Sequence, residues 1–162
     1  MTTPAKPSTG ESIAIGQIRV AKREGILRTF VGSCVALVLY SERHRAAGVA
    51  HVMLPAAEGR VAAPGKYADT AVAETLRLLA DLVSDKDVTC TAKLIGGATM
   101  FTFQSGTPIG DQNVLALEAI LSRCGVEIVG RICGGRHGRR VAVDVATGTV
   151  TVETTEHGSE TL

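Results

Sequence analysis

The sequence predicts an α/β fold: a single-domain layered sandwich with a mixed β-sheet and two main helices. Short β-branched apolar runs lie near both ends of the chain, two central segments carry helical periodicity, and turn residues separate them without an internal repeat or a dividing linker. The 162 residues are one domain's length, and 45% of them are hydrophobic, enough to bury a core without disulfide or metal staples.

The elements follow in order. Residues 1 to 11, rich in Thr, Ser, Pro and Gly, are expected to form a disordered leader. Ile13 to Val20 reads as a strand, Ala21 to Gly25 as a charged turn, and Ile26 to Phe30 as a second strand ending at Gly32-Ser33. Cys34 to Tyr40 (CVALVLY) has the length and composition of a buried strand, and Ala46 to Met53 is another, closed by Pro55. Ala68, Val72, Leu76, Leu79 and Val83 recur at helical spacing, with Glu74, Arg77 and Asp81 toward water. Ala92 to Ile95 is a strand broken by Gly96-Gly97. A second helix runs from about Asn113 to Arg123, with Gly125 as its C-terminal cap. Val126 to Ile132 is a strand, Gly134-Gly135 opens a basic loop, and Val141 to Val145 with Val150 to Glu153 form a hairpin about Thr147-Gly148. Residues 12 to 154 are thus the folded domain, and 155 to 162 are expected to be a flexible polar tail.

Composition excludes several classes. With 17 basic and 16 acidic side chains the net charge is +1, and with no Trp, two Tyr and three Phe there is no aromatic platform for bases, so nucleic acid is not an expected partner. No apolar stretch approaches the ~20 residues of a membrane helix, and Met1 to Ser12 holds no apolar signal core. Cys34, Cys90, Cys124 and Cys133 show no C-x-x-C spacing, consistent with reduced thiols in a cytoplasmic protein. No long apolar helix face is left over, which favours a monomer.

Three groups of residues could carry chemistry. Cys34 follows Gly32-Ser33 at the start of a buried strand, and His51 lies in the next strand. Cysteine catalysis needs a thiolate, a base and oxyanion donors, and a hairpin of the two strands would bring thiol and imidazole within reach. Against this, cysteine is commonly a small buried hydrophobe, and a histidine in GVAHVML commonly a hydrogen-bonded core residue. Gly96-Gly97 and Gly134-Gly135 match no phosphate-binding fingerprint; they read as tight turns or as the lining of a cleft. Arg136, His137, Arg139 and Arg140 make a basic loop, a solvated run or a docking site for an acidic partner. His44 and His137 have no carboxylate or cysteine at ligand spacing, and His157 stands in the tail, so neither a metal site nor a cofactor is expected.

The strings TFVGSCVALVLY, GVAHVMLP, PGKYADTAV, KLIGGATMF, IGDQNV, a GG-containing loop and RRVAVDVATGTVTV fall in this order over about residues 13 to 153. Together they resemble CheD, the chemoreceptor glutamine deamidases of bacterial and archaeal chemotaxis. The resemblance implies an α/β sandwich related to the catalytic domain of cytotoxic necrotizing factor toxins. It implies Cys34 as nucleophile, His51 as its base, and a threonine orienting the histidine. Thr29 stands five positions before Cys34; some members place the threonine six before, where this chain has Arg28. Gly32, Ser33, Gly96 and Gly97 would line the cleft and the oxyanion site. The implied reaction converts receptor glutamines to glutamates with release of ammonia, through a cysteine thioester. The implied partners are methyl-accepting chemotaxis receptors and a CheC-type phosphatase. Two other classes fit the same residues: a non-catalytic adaptor and a redox-sensing thiol protein built on Cys34.

Overall fold

The computed structural model describes residues 12–100 and 106–162. Nine strands and two α-helices occur among them: β1 (Ile18–Lys22), β2 (Ile26–Val31), β3 (Val35–Ser41), β4 (Ala46–Val52), α1 (Ala68–Val83), β5 (Thr91–Gly96), α2 (Ile109–Arg123), β6 (Glu127–Cys133), β7 (Arg139–Asp144), β8 (Val150–Thr154) and β9 (Gly158–Thr161). They form a five-stranded sheet ordered β1-β4-β3-β5-β6 and a four-stranded sheet ordered β2-β7-β8-β9. The first is antiparallel except for the parallel β5–β6 pair, which α2 connects; the second is antiparallel throughout.

The runs CVALVLY and GVAHV are apolar without interruption because the middle of the five-stranded sheet is covered on both faces. Val35, Leu37 and Leu39 of β3, with Ala50 and Val52 of β4, pack toward Ala68, Val72 and Leu79 of α1 and Leu117 and Leu121 of α2. Ala36 and Val38, with Ala47 and Val49, face the opposite way. They meet Leu27 and Val31 of β2 and Val141, Val143, Val150 and Val152 of the second sheet. The period of two along each strand thus divides one apolar run between two cores, and the layers run helices, sheet, sheet.

The helix ends follow local chemistry. Gly125 adopts φ +70 beyond α2; its N–H reaches Ser122 O and the Val126 N–H reaches Leu121 O, closing the last turn. The helix begins at Ile109, after Pro108, rather than near Asn113. Gly110 masks that start in the sequence; it is there because a Cβ would lie 2.5 Å from Gly97 O.

Two segments differ from expectation. Ile13 to Gln17 is a turn rather than a strand: the Gln17 N–H bonds Ala14 O, and Ile13 is buried with its N–H on Arg28 O. The residues read as a flexible polar tail instead include β9, which pairs with β8 from Thr151↔Thr161 to Thr154↔Gly158. Every β9 residue is exposed, so no hydrophobic alternation marked the strand; Leu162 beyond it packs on the inter-sheet core. The expected leader, residues 1 to 11, lies outside the described residues. Among the described residues no helix is long and apolar enough to cross a membrane.

Candidate functional site

Gly32-Ser33-Cys34 carries the chain from β2 in one sheet to β3 in the other. Each carbonyl of this crossing is tied down. Gly32 O accepts from the Ala98 N–H at 2.9 Å and Cys34 O from the Gly97 N–H at 2.9 Å, while Ser33 O accepts from Asn113 Nδ2 at 3.3 Å. With the carbonyls held by the β5–α2 side, the Ser33 and Cys34 N–H groups donate to no described residue. Gly96 is required here, because its φ is +122 and a Cβ would stand 2.2 Å from Cys34 O.

Strands β3 and β4 pair antiparallel with Ala36 opposite His51. Cys34 is two residues before Ala36 and points to the same face, into the inter-sheet layer. Cys34, one residue before β3, and His51 therefore stand on the same face of neighbouring chain segments, with the imidazole one rung further along the sheet than the thiol. Both are buried.

Thr29 comes from the facing sheet. In β2 the alternation Leu27, Thr29, Val31 points inward, which sets the Thr29 hydroxyl 2.9 Å from His51 Nδ1. The same hydroxyl lies 2.7 Å from Ile13 O, and His51 Nδ1 lies 3.1 Å from that carbonyl. A carbonyl only accepts, so the Thr29 O–H donates to Ile13 O. Its oxygen then accepts from His51, which places the proton on Nδ1. Nε2 is left with its lone pair free to accept a proton. The turn at Ile13 to Gln17, misread as a strand, is thus what orients the imidazole.

Burial pushes the Cys34 thiol above the ordinary cysteine value. Burial holds His51 below the ordinary histidine value, against a smaller opposite effect of its bond to Ile13 O. Both directions favour a resting pair of neutral thiol and neutral imidazole. Cys90 and Cys133 are pushed by burial up to about 11, which makes them inert at neutral pH. All four cysteines are free thiols.

Asn113 is a residue that sequence reasoning missed. It is fully buried on α2, and its Nδ2 donates to Ser33 O and, at 2.9 Å, to Met53 O. One amide thereby joins the residue before Cys34 to the residue two beyond His51. The string IGDQNV carries three polar residues in a row, Asp111, Gln112 and Asn113, and nothing local marks the third as the buried one.

The two glycine pairs lie together: the Gly134 N–H bonds Gly96 O, and the Thr99 N–H bonds Gly135 O. Gly96 and Gly97 act as packing and carbonyl support for Cys34, since the Gly97 N–H is already bonded. Arg139 departs from its expected place on a docking surface. It is 8% exposed, and its guanidinium donates to Gly96 O at 3.2 Å and Gly134 O at 2.8 Å. As the first residue of β7 its inward alternation aims it at those carbonyls, while Arg136 and Arg140 remain exposed. His44 and His137, which lack acidic partners at short sequence spacing, find them through the fold: Asp85 at 2.9 Å and Glu156 at 2.9 Å.

Comparison with known proteins identifies the family. The family model described as CheD chemotactic sensory transduction matches residues 53–154. A relative from Methanococcus maripaludis, named "Probable chemoreceptor glutamine deamidase CheD", is 42% identical over 144 residues, covering 86% of this chain and 92% of its own. Relatives of the same name from Symbiobacterium thermophilum and Haloarcula marismortui are 36% and 34% identical, spanning 94% and 99% of this chain and 96% and 95% of theirs. The chain belongs to the CheD family.

Proposed function

We propose that this protein is a chemoreceptor glutamine deamidase that works through a cysteine thioester, with Cys34 as nucleophile, His51 as base and Thr29 as its positioning residue. The observation that carries the reading is the proton arrangement at His51. Thr29 and Ile13 O hold the hydrogen on Nδ1, so Nε2 is the atom able to take the Cys34 proton.

Reaction begins from the neutral pair. As Cys34 Sγ attacks the side-chain carbonyl carbon of a substrate glutamine, its proton passes to His51 Nε2. The carbonyl oxygen becomes an oxyanion beside the N–H groups of Ser33 and Cys34, which donate to no described residue; one such donor is worth about 3 kcal/mol in other enzymes. The imidazolium returns its proton to the departing nitrogen, ammonia leaves, and the acyl group remains on sulfur. Water then attacks the thioester with Nε2 as base, giving glutamate and the restored thiol. The Thr29 hydroxyl is neutral and stabilises imidazolium less than a carboxylate would, which fits a slow, regulatory reaction.

The family relatives' names support a chemoreceptor as substrate. Around the crossing, Phe30, Met53 and Met100 are exposed, and Met100 Sδ approaches Gly32. These exposed apolar side chains suit a glutamine presented on a bulky helical receptor, and such a substrate puts the enzyme at the cytoplasmic end of that receptor. Deamidation of a receptor cytoplasmic fragment, followed by mass spectrometry with Cys34→Ala as control, tests the proposal. An adaptor would bind the fragment and leave its glutamines unchanged.

A further inference from the structure

Far along the chain from Cys34 and His51, the β6–β7 connection meets the β8–β9 turn. His137, Glu156 and His157 each bring one ligand atom there, all within 4.8 Å of one another. His137 Nε2 lies 2.9 Å from Glu156 Oε2, and the two imidazoles stand edge to face with centroids 6.0 Å apart. Both histidines line a cavity shared with Thr154 and Glu160. We propose that His137, Glu156 and His157 form a surface site for a divalent transition metal of the Zn2+ type, completed by water.

The donor set selects the metal class. Two imidazoles and one carboxylate suit Zn2+, Co2+, Ni2+ or Cu2+, whereas Ca2+ and Mg2+ take oxygen donors. Tetrahedral zinc with bonds of about 2.0–2.1 Å sets its ligand atoms roughly 3.4 Å apart. The existing cluster reaches that spacing by rotation of exposed side chains. The backbone beneath them is already held. Thr154↔Gly158 is the last rung of the β8–β9 ladder, and the His157 N–H bonds Thr154 Oγ1 at 3.0 Å. On the other side, Arg139 anchors the His137 loop through Gly134 O. An ion pair with Glu156 accounts for one histidine only; the second imidazole, set edge to face against the first, brings a further nitrogen donor to the same point. Sequence spacing hid the site because His137 and His157 are joined only when β7, β8 and β9 pair. The guanidinium groups of Arg136 and Arg139, which also line the cavity, oppose a cation, and the carboxylates of Glu156 and Glu160 offset them.

The site is independent of the deamidase reading, and its test uses binding alone. Zn2+ is titrated calorimetrically into the full chain carrying no affinity tag, alongside His157→Ala and Glu156→Gln, with thermal melts to check that each variant folds. Co2+ absorption then separates nitrogen and oxygen ligation from ligation by thiolates such as Cys124. The proposal predicts one equivalent of metal and no intense sulfur charge-transfer band. It also predicts a loss in His157→Ala above the roughly 10–100-fold typical of outer-shell changes, with a smaller loss in Glu156→Gln. An unchanged affinity in His157→Ala, a thiolate band, or no binding by the wild-type chain overturns it.

Discussion

Replacing Thr29 by Val keeps the side chain's shape and removes only its hydroxyl. Two hydrogen bonds go with it, the 2.7 Å bond to Ile13 O and the 2.9 Å bond from His51 Nδ1. Ile13 O is not orphaned, because His51 Nδ1 stays within 3.1 Å and still donates to it. The stability cost is therefore that of two ordinary bonds, about 1–3 kcal/mol in all. The tautomer survives for the same reason. What is lost is one bond to the imidazole as it becomes charged in the transition state, worth about 1.5–3 kcal/mol. At 1.4 kcal/mol per factor of ten, kcat/KM for deamidation should fall roughly 10–100-fold, and Thr29→Ser should recover most of it. Ammonia release from a receptor fragment, with a thermal melt of each variant, measures both quantities. Activity within two-fold of wild type in Thr29→Val would refute the positioning role. Complete loss in a fully folded Thr29→Val would refute the claim that Ile13 O holds the tautomer by itself.

Further predictions follow from the same geometry. Because burial raises the Cys34 thiol, its alkylation by iodoacetamide should keep accelerating beyond the ordinary cysteine range; a plateau near neutral pH would mean a resting thiolate–imidazolium pair instead. His51 is held below its ordinary value, so the folded state resists the proton that the unfolded chain takes up near pH 6.5. Its contribution to stability is thus present above that pH and lost as pH falls through the depressed folded value. Denaturant midpoints should decline over this window, and less so in His51→Gln. Asn113→Asp turns the donor toward Ser33 O and Met53 O into a carboxylate facing two carbonyls. Activity should drop more than ten-fold together with several kcal/mol of stability, and a neutral result by ammonia assay and melt would remove Asn113 from the positioning of Cys34. Gly96→Ala forces a Cβ to within 2.2 Å of Cys34 O, so soluble expression or activity should collapse; a wild-type rate would contradict the close approach.

Where pattern and local chemistry coincide, the sequence was readable. CVALVLY and GVAHVML showed two adjacent buried strands, and their pairing is what joins Cys34 to His51 on one face. The helix over Ala68 to Val83 followed from its apolar spacing, and Gly125 marked the end of α2. Features made by long-range contact were not readable. Nothing near Ile13 shows that its carbonyl will meet residues 16 and 38 positions away, and its β-branched neighbours imitate a strand. Arg139 sits among surface-type basic residues and is buried only because β7 starts there, aimed at Gly96 O. The strand β9 is polar on both faces and exists through backbone pairing alone.

The central claim is the conversion of receptor glutamine to glutamate by Cys34. Peptide mass spectrometry of a receptor cytoplasmic fragment incubated with the wild-type chain, and with Cys34→Ala, tests it most directly. The wild-type protein should give amide-to-acid mass gains at defined glutamines, and Cys34→Ala none. The same gains with both proteins, or a fragment that binds and stays unmodified, would contradict it.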